Sequence, residues 1–215
     1  MRPPIGLPVL LWSLCGGSAA QAADTLYAVD PAASDLHWLV YKAGAFARLG
    51  HNHVIKAAAL DGKVTVDGSN PANSRFEIVI PVADLTIDDP ALRSGLGEEF
   101  ASVPTPDDIA GTHKNMLSDR VLDGEKFPMI RVTGTGPIDA QGAQTLKVRV
   151  GLLGRSVDLT LPTEVSVEPE RVEASGEFEL NHADLGLQPF TVMMGALQVG
   201  EKLSFSYHIV ARLVP

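Results

Sequence analysis

Two histidines separated by one residue, His51 and His53, are the strongest candidates for chemistry in the sequence. In extended backbone, side chains two positions apart share a face, so both rings could reach one metal ion or one polar group of a ligand. Gly50 and the mixed polarity of residues 46–55 predict a buried or half-buried turn rather than a core strand. Two interpretations stay open: a binding site, or rings that satisfy buried backbone groups.

Further histidines offer a metal or haem site as an alternative. His113 falls on the apolar face of a predicted helix, and His182 lies just after a predicted strand. Together with His51 and His53 they could bind zinc, copper or iron, since neutral imidazole is a ligand for all three, and support redox or hydrolytic chemistry. The chain has no H-E-x-x-H segment, so for each histidine taken alone a structural role is favoured.

Catalytic motifs are missing from the sequence. No serine lies in a G-x-S-x-G segment, and no glycine-rich phosphate loop joins a strand to a helix. Three acidic pairs, at 88–89, 98–99 and 107–108, are interpreted as helix-start charges and solvated faces. The sequence therefore predicts a protein that is not an enzyme and has no cofactor of its own.

The first 22 residues predict a secretory signal peptide. Arg2 provides the positive start, residues 5–14 the apolar run, and Ala20-Gln21-Ala22 the cleavage site. An acylation signal at Cys15 is less favoured, because Trp12-Ser13-Leu14 places a bulky residue before it. Residues 23–215 then form one domain that is expected to enter an oxidising compartment without a cysteine, so its core alone must stabilise the fold.

Composition narrows the choice of partners. The 215 residues carry a formal charge of −9, and lysine and arginine form no cluster. Such a chain is a poor candidate for binding nucleic acid or an anionic membrane surface. After the signal, no segment approaches the roughly 20 apolar residues of a membrane-spanning helix.

Alternation of apolar and polar residues predicts an all-β fold. The final segment is the clearest case, because every second residue from Leu203 to Leu213 is apolar. Most of the strand-like segments are joined by short turns, which favours an antiparallel barrel of about eight strands. An outer-membrane barrel is disfavoured, since aromatic residues make up only 6% of the chain. The predicted strands are 34–42, 62–66, 74–81, 127–133, 146–152, 157–161, 165–168, 172–180 and 203–213.

One helix is predicted as a short insertion between strands. It begins at a capping box in which Thr105 is the N-cap, Pro106 follows, and Asp108 takes the third position. Ile109, His113, Met116 and Leu117 then recur at helical spacing on one face. A second helical turn is expected within residues 91–100, weakened by two glycines.

A cavity inside this barrel would be lined by apolar side chains. Met193 and Met194, close to Phe190, form a soft surface that suits a flexible hydrophobic ligand or ordinary core packing. We expect His51, His53 and His182 to meet the polar head of such a ligand. The expected apolar lining residues are Leu36, Trp38, Val40, Ile78, Ile130, Val132, Phe178, Phe190, Met193 and Phe205.

Several short segments, in order along the chain, match the pattern of one known family. They are 26–31, 36–38 with Gly50-His51, 127–132, 150–155, 182–187 and 199–201, and they extend over nearly all of residues 25–213. This pattern resembles the YceI-like family of periplasmic polyisoprenoid-binding proteins. The resemblance implies a lipocalin-like antiparallel barrel, export to the periplasm, and a long isoprenoid-tailed lipid in an apolar cavity, without catalysis.

Two departures from the family pattern concern the head group of the ligand. His182 and Leu185 stand where the family usually has arginine and phenylalanine, and Asn52-His53 follows the Gly-His pair where many members have an apolar residue. We therefore expect a non-catalytic protein that holds a polyprenyl or quinone-like lipid, with the histidine-based metal or haem protein as the alternative. A membrane redox protein as partner and a homodimer are further hypotheses.

Overall fold

The computed structural model describes residues 24–138 and 141–215, so the predicted signal peptide lies outside the described residues. The two helices within these ranges are α1 Pro90–Arg93 and α2 Pro106–Leu117. The strands are β1 Thr25–Val29, β2 Asp35–Ala43, β3 His53–Ala57, β4 Asp61–Val66, β5 Arg75–Pro81, β6 Leu85–Ile87, β7 Met129–Thr135, β8 Gln141–Leu152, β9 Arg155–Glu168, β10 Arg171–Asn181, β11 Thr191–Val192 and β12 Leu197–Leu213.

Eight strands close into an antiparallel barrel, which confirms the predicted lipocalin-like architecture. The order around the barrel is β1, β4, β5, β7, β8, β9, β10 and β12, and β12 closes the ring by pairing with β1. The 17-residue strand β12 is long enough to pair with β1 near its end and with β2 over residues 198–208. β3 pairs with β2, and β6 with β3, so these three strands lengthen the wall at one end.

The helical insertion lies between β6 and β7 and includes α1, a 3₁₀ turn at Glu98–Phe100, and α2. The predicted capping box of α2 is confirmed. The Thr105 hydroxyl accepts a hydrogen bond from the Asp108 backbone N–H at 3.2 Å, and the Asp108 carboxylate accepts one from the Thr105 N–H at 2.9 Å. The helical turn expected within 91–100 is divided between α1 and the 3₁₀ turn.

Two local predictions were wrong. The histidine stretch is not a turn throughout, because Ala47–Leu49 forms a 3₁₀ turn and His53 already begins β3. The predicted strands 157–161 and 165–168 are one continuous strand, β9, which passes through Pro162. Proline has no N–H to donate to a neighbouring strand. It is tolerated at this position because the β9–β10 pairing ends at Glu164, before Pro162 is reached.

The core of the barrel is formed by inward-facing side chains from alternate positions of the strands. Among the described residues, twenty-three apolar ones form one buried cluster, and Val165, Val172 and Leu203 are among its members. The same faces also leave space inside the barrel. The strands thus build both the core and the wall of an internal cavity.

Candidate binding cavity

An internal cavity of about 610 Å³ runs along the inward faces of the strands. This volume lies within the range of roughly 300–1,000 Å³ that small-molecule sites occupy. On β12 alone the lining extends from Leu197 to Ile209, about 40 Å along the strand at ~3.3 Å per residue. The shape suits a long, narrow ligand.

The middle of the cavity wall is an aromatic surface on three adjacent strands. Phe205 of β12 lies directly opposite Trp38 of β2 on one side and Phe178 of β10 on the other. Phe178 and Phe205 stack with ring centroids 4.9 Å apart, and the centroids of Trp38 and Phe205 are 5.8 Å apart. Tyr207 meets Phe178 edge to face. These flat rings give the wall a smooth apolar stretch that can contact a chain without a fixed register.

One pair of hydroxyls interrupts the apolar lining. The Thr163 and Tyr207 hydroxyl oxygens are 2.7 Å apart, and both residues line the cavity. Burial raises the pKa of the Tyr207 phenol above its ordinary value, although the hydrogen bond with Thr163 opposes that shift. The two hydroxyls satisfy each other, so the wall presents little unpaired polarity at this depth.

Polar and charged groups gather at one end, which we call the mouth. There α2, the segment before β3 and the segments on either side of β11 meet around the cavity. The opposite, deep end is closed by buried branched side chains, among them Ile138, Leu146, Val165 and Val172. The polar lining residues at the mouth include Lys42, His51, His53, Asp107, Asp108, Thr112, Asn115, His182, Gln188 and Gln198.

A buried ionic network holds the mouth together. Asp88, which is 3% exposed, accepts hydrogen bonds from Arg93 Nη1 at 2.6 Å, from the Val54 N–H at 3.0 Å and from His53 Nδ1 at 2.7 Å. The Arg93 guanidinium also donates to the backbone carbonyls of Asn52, at 2.8 Å, and of Ser102. These bonds fix the segment before β3 to the helical insertion.

Asn52 adds a second set of bonds at the same place. Its side-chain oxygen accepts from the Lys42 N–H and its amide donates to the Glu99 carbonyl, both at 3.0 Å. Because the residue is buried, each of these polar groups needs its partner. Asn52 therefore orients the two histidines that flank it.

Electrostatics at the mouth are dominated by carboxylates. Burial raises the pKa of Asp88, but the hydrogen bonds from His53 and Val54 and the electrostatic interactions with His53 and Arg93 outweigh burial and hold that pKa below its ordinary value. The Thr105 hydroxyl and N–H hold the pKa of Asp108 below its ordinary value as well. Both groups are thus ionised at neutral pH.

Comparison with known proteins agrees with this architecture. The family model of the YceI-like domain matches residues 27–211.

The chain belongs to the YceI-like family.

Two solved structures share the YceI-like fold of this chain. BcnA from Burkholderia cenocepacia has 12% sequence identity and a TM-score of 0.60, covering 85% of this chain and 98% of that chain. A polyisoprenoid-binding domain from Saccharophagus degradans, implicated in plant cell wall breakdown, has 12% identity and a TM-score of 0.60, covering 87% and 98%. No curated protein matches the chain. Among the described residues, no helix is long and apolar enough to cross a membrane.

Most of the residues that the sequence singled out as a site line the cavity of this YceI-like barrel. Met193 does not. It is 58% exposed, and together with the fully exposed Met194 it lies in a 3₁₀ turn outside the lining. Both side chains face solvent, so the pair forms neither core nor wall. The lining residues that coincide with the expected set are Leu36, Trp38, Val40, His51, His53, Ile78, Ile130, Val132, Phe178, His182, Phe190 and Phe205.

The four histidines of the alternative metal hypothesis do not converge. His113 is not part of the cavity lining, and His182 is held by a 3.0 Å hydrogen bond from Nδ1 to the Glu201 carbonyl. His51 contacts the Ser102 hydroxyl at 3.2 Å through Nδ1. Within residues 24–138 and 141–215, no three histidine, cysteine, aspartate or glutamate side chains are placed to hold one metal ion. The geometry therefore gives the metal or haem alternative no support.

The ionic network was not predicted from the sequence. The interpretation of the acidic pair 88–89 as helix-start charges is right for Asp89, the N-cap of α1, and wrong for Asp88. A helix has a single N-cap residue, so two aspartates before Pro90 leave one without that role. That surplus carboxylate was the available signal for a buried partner.

Proposed function

We propose that this chain is a non-catalytic periplasmic binding protein that holds a long isoprenoid-type lipid, either polyprenyl or quinone-like. The observation that carries the proposal is the cavity itself, which is long, apolar along its depth, and polar at one end. This distribution matches a molecule with an oily tail and a small polar head. The fold shared with a polyisoprenoid-binding domain and the signal-like first 22 residues support the same conclusion.

Burial of the tail provides the affinity. Each buried CH₂ group contributes about 0.8 kcal/mol, so a chain of many such groups is held firmly without strong polar contacts. The aromatic surface around Phe178 and Phe205 provides apolar contact area without directional hydrogen bonds, which suits a repetitive tail. Polar contacts at the mouth then set which end of the lipid enters first.

Native mass spectrometry of the chain purified without detergent tests this proposal. We expect a co-purifying species whose mass fits an isoprenoid lipid, or uptake of added geranylgeraniol by the empty protein. Ala174→Trp fills the cavity because Ala174 lines it, and should abolish the bound species. Ser175→Trp is the matched control, because the next residue on β10 faces the other side of the sheet.

Two outcomes would contradict the proposal. A wild-type protein that is always empty and takes up no prenyl lipid is not a carrier. Binding that persists at full strength in Ala174→Trp would place the lipid somewhere other than the cavity. Unchanged melting temperatures of both variants would show that the fold is intact in each.

A further inference from the structure

We propose that His53 is the hydrogen-bond acceptor for the ligand's head group, and that this head is a neutral hydroxyl, as in an alcohol or phenol, rather than a phosphate ester. This inference rests on the proposed function, because it assumes that a lipid occupies the cavity. It adds the chemical class of the head and the atom that recognises it.

The orientation of the His53 ring follows from its partner. Asp88 is an ionised carboxylate and can only accept, so the 2.7 Å contact requires the proton on His53 Nδ1. In the neutral ring the other nitrogen, Nε2, is then an acceptor. His53 lines the cavity, and among the described residues Nε2 has no hydrogen-bond partner. An acceptor on the lining calls for a donor on the ligand.

Arg93 gives the Asp88 carboxylate a positively charged partner other than the His53 ring. The guanidinium lies 2.6 Å from Asp88 Oδ1, and both side chains are buried. The carboxylate is therefore already balanced by a positive charge, and the His53 ring is not required as its counter-ion. Asp88 instead fixes the tautomer and the direction of the ring, as carboxylates do for histidines at many functional sites.

A second histidine is also paired with an aspartate but does not line the cavity. His37 on β2 also places Nδ1 against an aspartate, Asp35, and its side chain is 15% exposed, the same fraction as that of His53. The His37 ring is not part of the cavity lining. Pairing and burial therefore do not distinguish the two residues, and position on the cavity does.

The charges around His53 disfavour an anionic head. Among the described residues that line the cavity, the carboxylates Asp107 and Asp108 face a single ammonium, that of Lys42, and His51 Nε2 lies 3.8 Å from Asp108 Oδ2. Lys42 Nζ donates to the Gly50 carbonyl at 3.0 Å, and the Arg93 guanidinium is bound to Asp88 and backbone carbonyls. A phosphate here would meet two like charges, whereas a hydroxyl would meet none.

Three probes with one tail separate these possibilities: geranylgeraniol, its methyl ether, and its monophosphate. We expect the wild-type protein to bind the alcohol about fivefold more tightly than the ether, the size of one neutral hydrogen bond, and the phosphate more weakly than the alcohol. His53→Asn should remove the preference for the alcohol and leave ether binding unchanged. Its amide can still donate to Asp88, so only the function of Nε2 is lost.

His37→Asn is the matched control and should keep the wild-type order of affinities. A ¹⁵N spectrum offers an independent readout, since the resonance of His53 Nε2 should shift on addition of the alcohol and not of the ether. An unchanged preference in His53→Asn, or tighter binding of the phosphate, would overturn this inference and leave the carrier proposal standing. Failure of all three probes to bind would overturn both.

Discussion

The deep end of the cavity and the ionic network beside its mouth are equally shielded from water but are stabilised by different interactions. Val148, Val165 and Val172 at the deep end are buried by other apolar side chains. At the mouth, Asp88 and Arg93 are buried to the same degree by ionic and hydrogen-bonded contacts. Apolar contact area therefore stabilises the deep end, whereas hydrogen bonds and an ion pair of fixed direction stabilise the mouth.

This difference determines how each region tolerates change. Apolar contacts are numerous and individually weak, so an apolar wall can adjust to a substitution or to ligands of different length. A buried ion pair has few partners, and the loss of one leaves the other uncompensated. We therefore expect the deep end to tolerate substitution and the mouth to be sensitive to it.

Arg93→Met should have the largest effect. It leaves the Asp88 carboxylate and two backbone carbonyls without their buried donor, and we expect the free energy of unfolding to fall by about 3–5 kcal/mol. Urea denaturation measures this loss. Arg149→Met is the control, because the Arg149–Asp158 pair is exposed on both sides and should contribute less than about 1 kcal/mol. Equal losses in the two variants would remove the distinction between mouth and surface.

Leu146→Ala should have a smaller effect at the deep end. Buried leucines generally cost about 2–5 kcal/mol on truncation, and we expect about 2 kcal/mol here because Leu146 already borders empty space. Leu85→Ala is the comparison, since Leu85 is 1% exposed and does not line the cavity. Its truncation should cost about 3 kcal/mol, more than that of Leu146. If Leu146→Ala costs as much as Leu85→Ala, the ligand-free cavity is packed at that point.

The smallest expected change is in the slope of stability with pH. Because the pKa of Asp88 is lower in the folded chain than in the unfolded chain, the unfolded chain takes up the proton first as the pH falls. The stabilisation is complete above the ordinary aspartate pKa and is lost as the pH falls toward the folded value. Unfolding measured between about pH 5 and pH 2 should therefore show a shallower slope for Asp88→Asn than for wild type. An identical slope would contradict this assignment.

Strand alternation made the barrel predictable, because it is a local property of the sequence. The apolar set Leu203, Phe205, Tyr207 and Ile209 was recognised from its spacing alone, and all four residues line the cavity. The short strands β1, β3, β6 and β11 were not predicted. At two to five residues they show too few alternations to distinguish a strand from a turn, and their extended form depends on neighbours far along the chain.

The site was predictable in its apolar part and not in its ionic part. Trp38 and Phe178 follow from the same alternation as the barrel. Asp88 and His53 are 35 positions apart, and no spacing rule links them. Met193 was wrongly predicted to line the cavity. Its apolar character indicated a lining position, but the turn that carries it points outward.

The sequence by itself determined which residues alternate, where a helix is capped and how much apolar surface must be buried. These properties depend only on near neighbours and on composition. The tertiary structure alone decided that the interior remains partly empty, that Asp88 meets both Arg93 and His53, and that His53 rather than His37 borders the cavity. The physical reason is that closing the barrel fixes distances between strands, and those distances determine which polar groups find partners and which remain for a ligand.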